Sequence, residues 1–199
     1  MAPLNGRTRL MTLEAAKPEI EDADLLLFRG KGFISKTITS VGRAMHSHAA
    51  AASWHANGVL LCLEMREFKG GRAVTLASQV RKFPGRIDVF KANAGNRWPD
   101  YDRTKADRYM TRLCGQEYGY GSVLKSYLMS LPIVRWKATA PTDDDLNDYL
   151  PNCSAAKAMA DDWGGGVDVV PHLANWAVQP GDLARSLFYE YFCTLRSVT

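Results

Sequence analysis

The stretch Pro151-Asn152-Cys153-Ser154-Ala155-Ala156-Lys157-Ala158-Met159-Ala160 constrains this chain more than any other. Pro151 and Asn152 suit a helix start, with Asn152 as the N-cap. The alanines and the methionine that follow are strong helix formers. Small side chains at 154 to 156 let such a helix lie close against a sheet. The pattern therefore predicts a cysteine in the first turn of a sheet-packed helix. A thiol there meets unpaired N–H groups and the positive end of the helix dipole, both of which favour the nucleophilic thiolate. The alternative is a buried structural cysteine, a common fate for the free residue. Which one applies depends on what else the chain brings.

A cysteine nucleophile needs a base to take its proton and return it to the leaving group, and a third group to orient that base. Histidine is the usual base, and the chain has His46, His48, His55 and His172. His48 is the best placed. It opens a predicted strand, 47–54, between the small residues Ser47 and Ala49. His46, next to it, is the second choice. The orienter should be an acid or amide on an adjacent strand. Glu64 ends the apolar run Val59 to Leu63 and meets that description, with Glu67 and Asp24 as rivals.

The remaining elements follow from periodicity. Ala23 to Arg29 is a continuous apolar run and reads as a buried strand. Ile34, Ile38, Val41 and Met45 recur at helical steps, predicting a helix over 33–45. Strands are expected over 58–65 and 86–91, with a turn at 69–72 returning a hairpin partner over 73–76. Helices are expected over 102–113 and 122–131, separated by a turn at 115–121. The short acidic stretch Thr142-Asp143-Asp144-Asp145 reads as a solvated loop rather than a calcium site. Gly164-Gly165-Gly166 reads as a flexible end to the cysteine helix, Pro180 to Leu183 as a turn, and 187–195 as a last strand.

Composition adds exclusions. A length of 199 residues fits one domain with extensions. We read residues 1–20, mixed and proline-containing, as an N-terminal arm suited to docking on assembly partners, and 21–199 as a single domain. The formal net charge of +4, with no arginine-rich tract, gives no reason to expect nucleic acid. No apolar run reaches membrane-span length, and no secretory signal is visible. Cys62, Cys114, Cys153 and Cys193 are widely spaced with no CxxC, so a zinc site is not expected.

Taken in order, these motifs resemble a known family. Asp24-Leu25-Leu26-Leu27-Phe28 is followed by a helix, then Ser47-His48 opening a strand, then Leu63-Glu64 and a glycine turn. Tyr118-Gly119-Tyr120, Asn152-Cys153-Ser154 and Pro180-Gly181-Asp182-Leu183 complete the series. This order is similar to that of the circularly permuted papain-like enzymes, the YiiX-like branch of the NlpC superfamily, to which lecithin retinol acyltransferase-like proteins are more distantly related. The resemblance covers roughly 22 to 190. It implies an α+β fold, an antiparallel sheet with the nucleophile helix packed on it. It further implies Cys153 as nucleophile, His48 as base and Glu64 as the third polar residue. Asp24 and Tyr120 become candidate substrate contacts, Tyr120 also a candidate oxyanion donor.

The sequence departs from the family pattern at three places. Ala155 stands where Cys-Ser-Glu has its glutamate, Ala49-Ala50 where Ser-His-Val-Gly has Val-Gly, and Ala23 where Gly-Asp has its glycine. The function implied is hydrolysis of an amide, a peptide bond of bacterial peptidoglycan, with no metal or cofactor. The alternatives are an acyl-ester or lipid hydrolase or acyltransferase on the same residues, and a non-enzymatic papain-like scaffold within a virus particle or other assembly.

Overall fold

A computed structural model of the chain describes residues 8–30, 45–66, 70–114 and 152–196. Within them the chain forms β1 (Leu10–Met11), α1 (Leu13–Ala16), β2 (Leu25–Arg29), β3 (His48–Trp54), β4 (Leu60–Arg66) and β5 (Gly70–Thr75). There follow α2 (Leu76–Lys82), β6 (Arg86–Ala92), α3 (Arg103–Cys114), α4 (Cys153–Met159), α5 (Pro180–Leu183) and β7 (Tyr189–Leu195). The strands make a seven-stranded sheet in the order β1-β7-β6-β2-β3-β4-β5. Every pairing is antiparallel except β1 with β7. The architecture is mixed α+β. No helix among the described residues is long and apolar enough to cross a membrane.

Both faces of the sheet are covered, which is why β2 reads as an unbroken apolar run. On one face Leu26, Phe28, Ala50 and Ala52 pack with Leu13, Ala16, Ile20 and Leu76. On the other, Leu25, Leu27 and Ala49 meet Ala158, Val178, Leu183 and Phe188. Ala51, Leu63 and Met65 meet Ala156, Ala160, Met110 and Leu113 on that same side. Alanine faces alanine where α4 crosses β3, so the helix sits close to the strand, as the small residues require.

Several expectations change. Residues 1–20 are not an arm from Leu10 onward: β1 extends the sheet, and Leu13, Ala16 and Ile20 are core. The expected turn at 69–72 is already strand from Gly70, and Glu64 pairs directly with Arg72 across the hairpin. Pro180 to Leu183 is a short helix rather than a turn, started by Pro180 in its first turn and by the Asp182 carboxylate, which accepts from the Gln179 N–H at 2.9 Å. The glycines at 164–166 are not a flexible end. A side chain at Gly165 would meet the Tyr101 ring at 2.3 Å, so its glycine is a close approach. The elements expected over 33–45 (Met45 excepted), 115–121, 122–131 and 142–145 lie outside the described residues.

Candidate active site

Asn152 caps α4 as expected. Its Oδ1 accepts from the Ser154 and Ala155 N–H groups at 3.1 and 2.9 Å. Ser154 Oγ donates to the Val178 carbonyl at 2.7 Å, tying the first turn to the chain that leads into α5. Cys153 opens this turn and is partly exposed.

Alternation along β3 sends His48 to the face of Ala50 and Ala52, whereas α4 lies on the face of Ala49 and Ala51. His48 and Cys153 meet nonetheless, with a side-chain hydrogen bond between thiol and imidazole. Each is the first residue of its element, and at a strand's end the pleat no longer keeps the two faces apart. Phe28, the β2 partner of His48, meets the imidazole edge-on at 5.2 Å and limits its tilt.

His48 Nε2 is 2.6 Å from Glu64 Oε2. The other Glu64 oxygen accepts from Arg72 Nε at 2.6 Å and Gln79 Nε2 at 2.7 Å. The carboxylate is almost wholly buried, 3% exposed, yet fully partnered.

The charges reinforce one another. Burial by itself pulls the His48 pKa down. The adjacent Cys153 thiolate, by its charge and its hydrogen bond, and then Glu64 outweigh this and push it up to about 10. Burial would raise Glu64, but the hydrogen bond and charge of His48, then those of Arg72, hold it below the ordinary carboxylate value. Both shifts favour the charged pair, an imidazolium against the Glu64 carboxylate.

The remaining thiols are chemically different. Burial raises Cys62 well above a free thiol, and raises Cys114 and Cys193 to about 11.

The rival residues have other places. His46 is buried against Asp88, with Nε2 to Oδ2 at 2.8 Å. His55 pairs with Asn57 in a turn. His172 lines a groove of about 380 Å³ with Trp98, Asp168 and Arg185, whose walls include none of Cys153, His48 and Glu64. Glu67 and Tyr120 lie outside the described residues. Asp24, expected as a substrate contact or alternative orienter, is fully buried. It binds Arg103 at 3.0 Å, Lys91 at 2.8 Å and the Glu21 and Ala92 N–H groups. A carboxylate with no exposed surface and four such partners is an anchor of the fold rather than a contact for substrate.

Sequence reasoning missed Arg72 and Gln79. Arg72 fell in a misplaced turn, and Gln79 sits on α2, a helix the sequence reading did not contain. The signal for Arg72 was its register: a hairpin that pairs Arg66 with Gly70 sets Arg72 opposite Glu64.

No family model and no curated protein matches the chain. Its fold is similar to the solved structure of the metalloprotein YiiX from Escherichia coli O157:H7, with a TM-score of 0.60 at 12% sequence identity. The match covers 89% of this chain and 98% of that one. At this identity the likeness is one of fold. Among the described residues of this chain, no group of three or more His, Cys, Asp and Glu side chains is arranged to hold a metal ion. The Glu64 carboxylate beside His48 already takes donors from His48, Arg72 and Gln79. The described residues therefore do not fit a metal centre at this site.

Proposed function

We propose that the chain is a cysteine hydrolase on a permuted papain-like fold, with Cys153 as nucleophile, His48 as acid and base, and Glu64 as orienter. One observation carries this reading. His48 lies between a fully partnered Glu64 and the thiol of Cys153, the first residue of a capped helix. A structural cysteine requires no such chain of groups, whereas acyl transfer requires all of it.

In the proposed reaction the Cys153 thiolate attacks the amide carbonyl carbon, forming the C–S bond while the carbonyl π pair moves to oxygen. The Cys153 backbone N–H stabilises that oxyanion. As the tetrahedral species collapses, the C–N bond breaks and His48 gives its proton to the departing amine. Water then attacks the thioester, returning a proton to His48 and releasing a carboxylic acid and the thiolate. Glu64 holds the ring and offsets its positive charge throughout. No step is routed through a metal.

The substrate class follows from the sequence resemblance, and we assign it as a peptide of bacterial peptidoglycan. The test is incubation of the protein with purified peptidoglycan, beside acyl-ester substrates, with mass spectrometry of the products. Release of new amine and carboxyl termini, lost in Cys153→Ala and His48→Ala, is the expected result. Turnover of esters alone would move the substrate to an acyl ester or lipid. No turnover of either, with Cys153 no more reactive than the other thiols, would leave a non-catalytic scaffold.

A further inference from the structure

The nucleophile helix carries a second set of charges on the same stripe as Cys153, at steps of four: Lys157 and Asp161. Both are completely buried. Lys157 Nζ donates to Asp161 Oδ2 at 2.5 Å. The Tyr189 hydroxyl, from β7, donates to that same oxygen, and the Tyr101 hydroxyl donates to Oδ1 at 2.8 Å. The Lys157 ammonium also sits over the Tyr189 ring, 5.2 Å from its centre.

Stability alone does not account for this cluster. A fully buried ion pair contributes little net stability, and apolar residues of like volume often serve as well or better. Simple helix geometry does not account for it either. Beyond Met159 the helix continues as a π turn over Ala160–Gly164. Such insertions rotate everything after them and recur at functional sites. Here the turn carries Asp161 to the two tyrosines, and Gly165 leaves the space that the Tyr101 ring occupies. Three separate elements therefore converge on one carboxylate at the base of α4.

We propose that Lys157, Asp161, Tyr101 and Tyr189 are positioning residues that fix the rotation and axial height of α4, and so hold the Cys153 sulfur against His48. Apolar contacts between alanines resist separation of helix and sheet but not sliding or rotation, because alanine offers few ridges to interlock. Directional hydrogen bonds to one carboxylate supply what those contacts lack. Lys157 is four residues from Cys153, about 6 Å along the helix, so a small rotation at the cluster is felt at the thiol.

This inference rests on the Cys153–His48 reading, and the experiment separates the two. Iodoacetamide alkylation of each of the four thiols is followed by peptide mapping across pH, alongside thermal unfolding. The wild type and His48→Ala test the site. Cys153 should react first, and loss of His48 should slow it. If Cys153 shows no preference, the site reading fails and the positioning role falls with it. Lys157→Met with Asp161→Leu, and separately Tyr101→Phe, test the cluster. In the double variant Cys153 alkylation near neutral pH should fall about tenfold, with its acid limb moved up by about one pH unit, since the thiolate loses its held partner. Tyr101→Phe takes the hydroxyl from Asp161 Oδ1 and leaves an apolar ring in place; the unfolding midpoint should fall by a few degrees, and alkylation of the protein that remains folded should slow about threefold. Wild-type rate and pH profile in Tyr101→Phe, or a loss of rate that only tracks loss of folded protein, would overturn the proposal. Tyr101→Phe alone decides the matter if the double variant fails to fold.

Discussion

Glu64 shows how much one oxygen can determine. Its Oε1 is held by Arg72 and Gln79, and its Oε2 faces His48. A glutamine at 64 must turn its NH2 toward one side or the other. Facing Arg72 or facing a protonated His48, it sets donor against donor. Glu64→Gln should therefore cost about a hundredfold in kcat/KM, more than an orienting amide would in a site without Arg72, though less than Cys153→Ala. The pH profile follows the same logic. His48 keeps its proton up to about 10, so activity that needs the imidazolium persists through neutral pH and falls as pH rises through that value. Removing the Glu64 charge takes away part of what raises His48. The alkaline limb of kcat/KM should therefore move to lower pH in Glu64→Gln, and an unmoved limb would separate Glu64 from the proposed role of His48. A different residue, Ala23, takes a left-handed backbone with φ of 59°, the conformation that glycine adopts without strain. This is the position where the resembled family has glycine. Ala23→Gly should raise stability by about 1 kcal/mol, strain relief outweighing the added freedom of the unfolded chain. Thermal or urea unfolding measures it.

The elements that were legible in sequence were those whose signal is local. β2, β3 and β4 are dominated by apolar or small residues, β6 alternates polar and apolar, β7 is rich in aromatic residues, and α3 has one buried stripe of Ala106, Met110 and Leu113. Asn152 and Cys153 were legible because a cap is a local motif. What failed was whatever depended on the far side of a contact. Of the seven residues in α2, only Leu76 is buried, so no periodic apolar stripe announced a helix there. Its cap, Thr75 accepting from the Ser78 N–H, was the available clue. Gln79 was missed for that reason and Arg72 because it fell within the expected turn, although both donate to the Glu64 carboxylate. The arm assigned to 1–20 failed similarly: Leu10 and Met11 are too short a strand to read, and only the edge of β7 makes them one. The cap itself gives a prediction at this scale. Asn152→Ala removes the acceptor for two N–H groups and should cost about 1 kcal/mol of stability. Because those groups belong to the turn that holds Cys153, its alkylation rate should fall as well. Unaltered labelling would show that the first turn is held by the Ser154–Val178 bond alone.

Across the whole molecule, Asp24 decides how the layers are held. It sits at the mouth of β2, and its two oxygens join residue 21, the end of β6 and the first residue of α3. Arg103 carries the connection further, donating to the Ala92 and Asp22 carbonyls and pairing with Glu21 at 3.0 Å. One buried charge thus ties the sheet to the helix that covers β4 and β5. None of this was visible in sequence, where Asp24 and Arg103 stand 79 positions apart. The anchoring and substrate-binding roles predict opposite outcomes for one variant. Asp24→Asn keeps the shape but removes the charge that Arg103 and Lys91 share. Breaking a wholly buried pair costs about 3–5 kcal/mol. Arg103 and Lys91 keep about a quarter of their side-chain surface in water, and can turn to it, so about 2 kcal/mol is expected. For a chain of this length that corresponds to a fall of roughly 4–8 °C in the unfolding midpoint. The KM of the protein that remains folded should be unchanged, since Asp24 presents no surface to a ligand. A raised KM with an unchanged midpoint would return Asp24 to the substrate site.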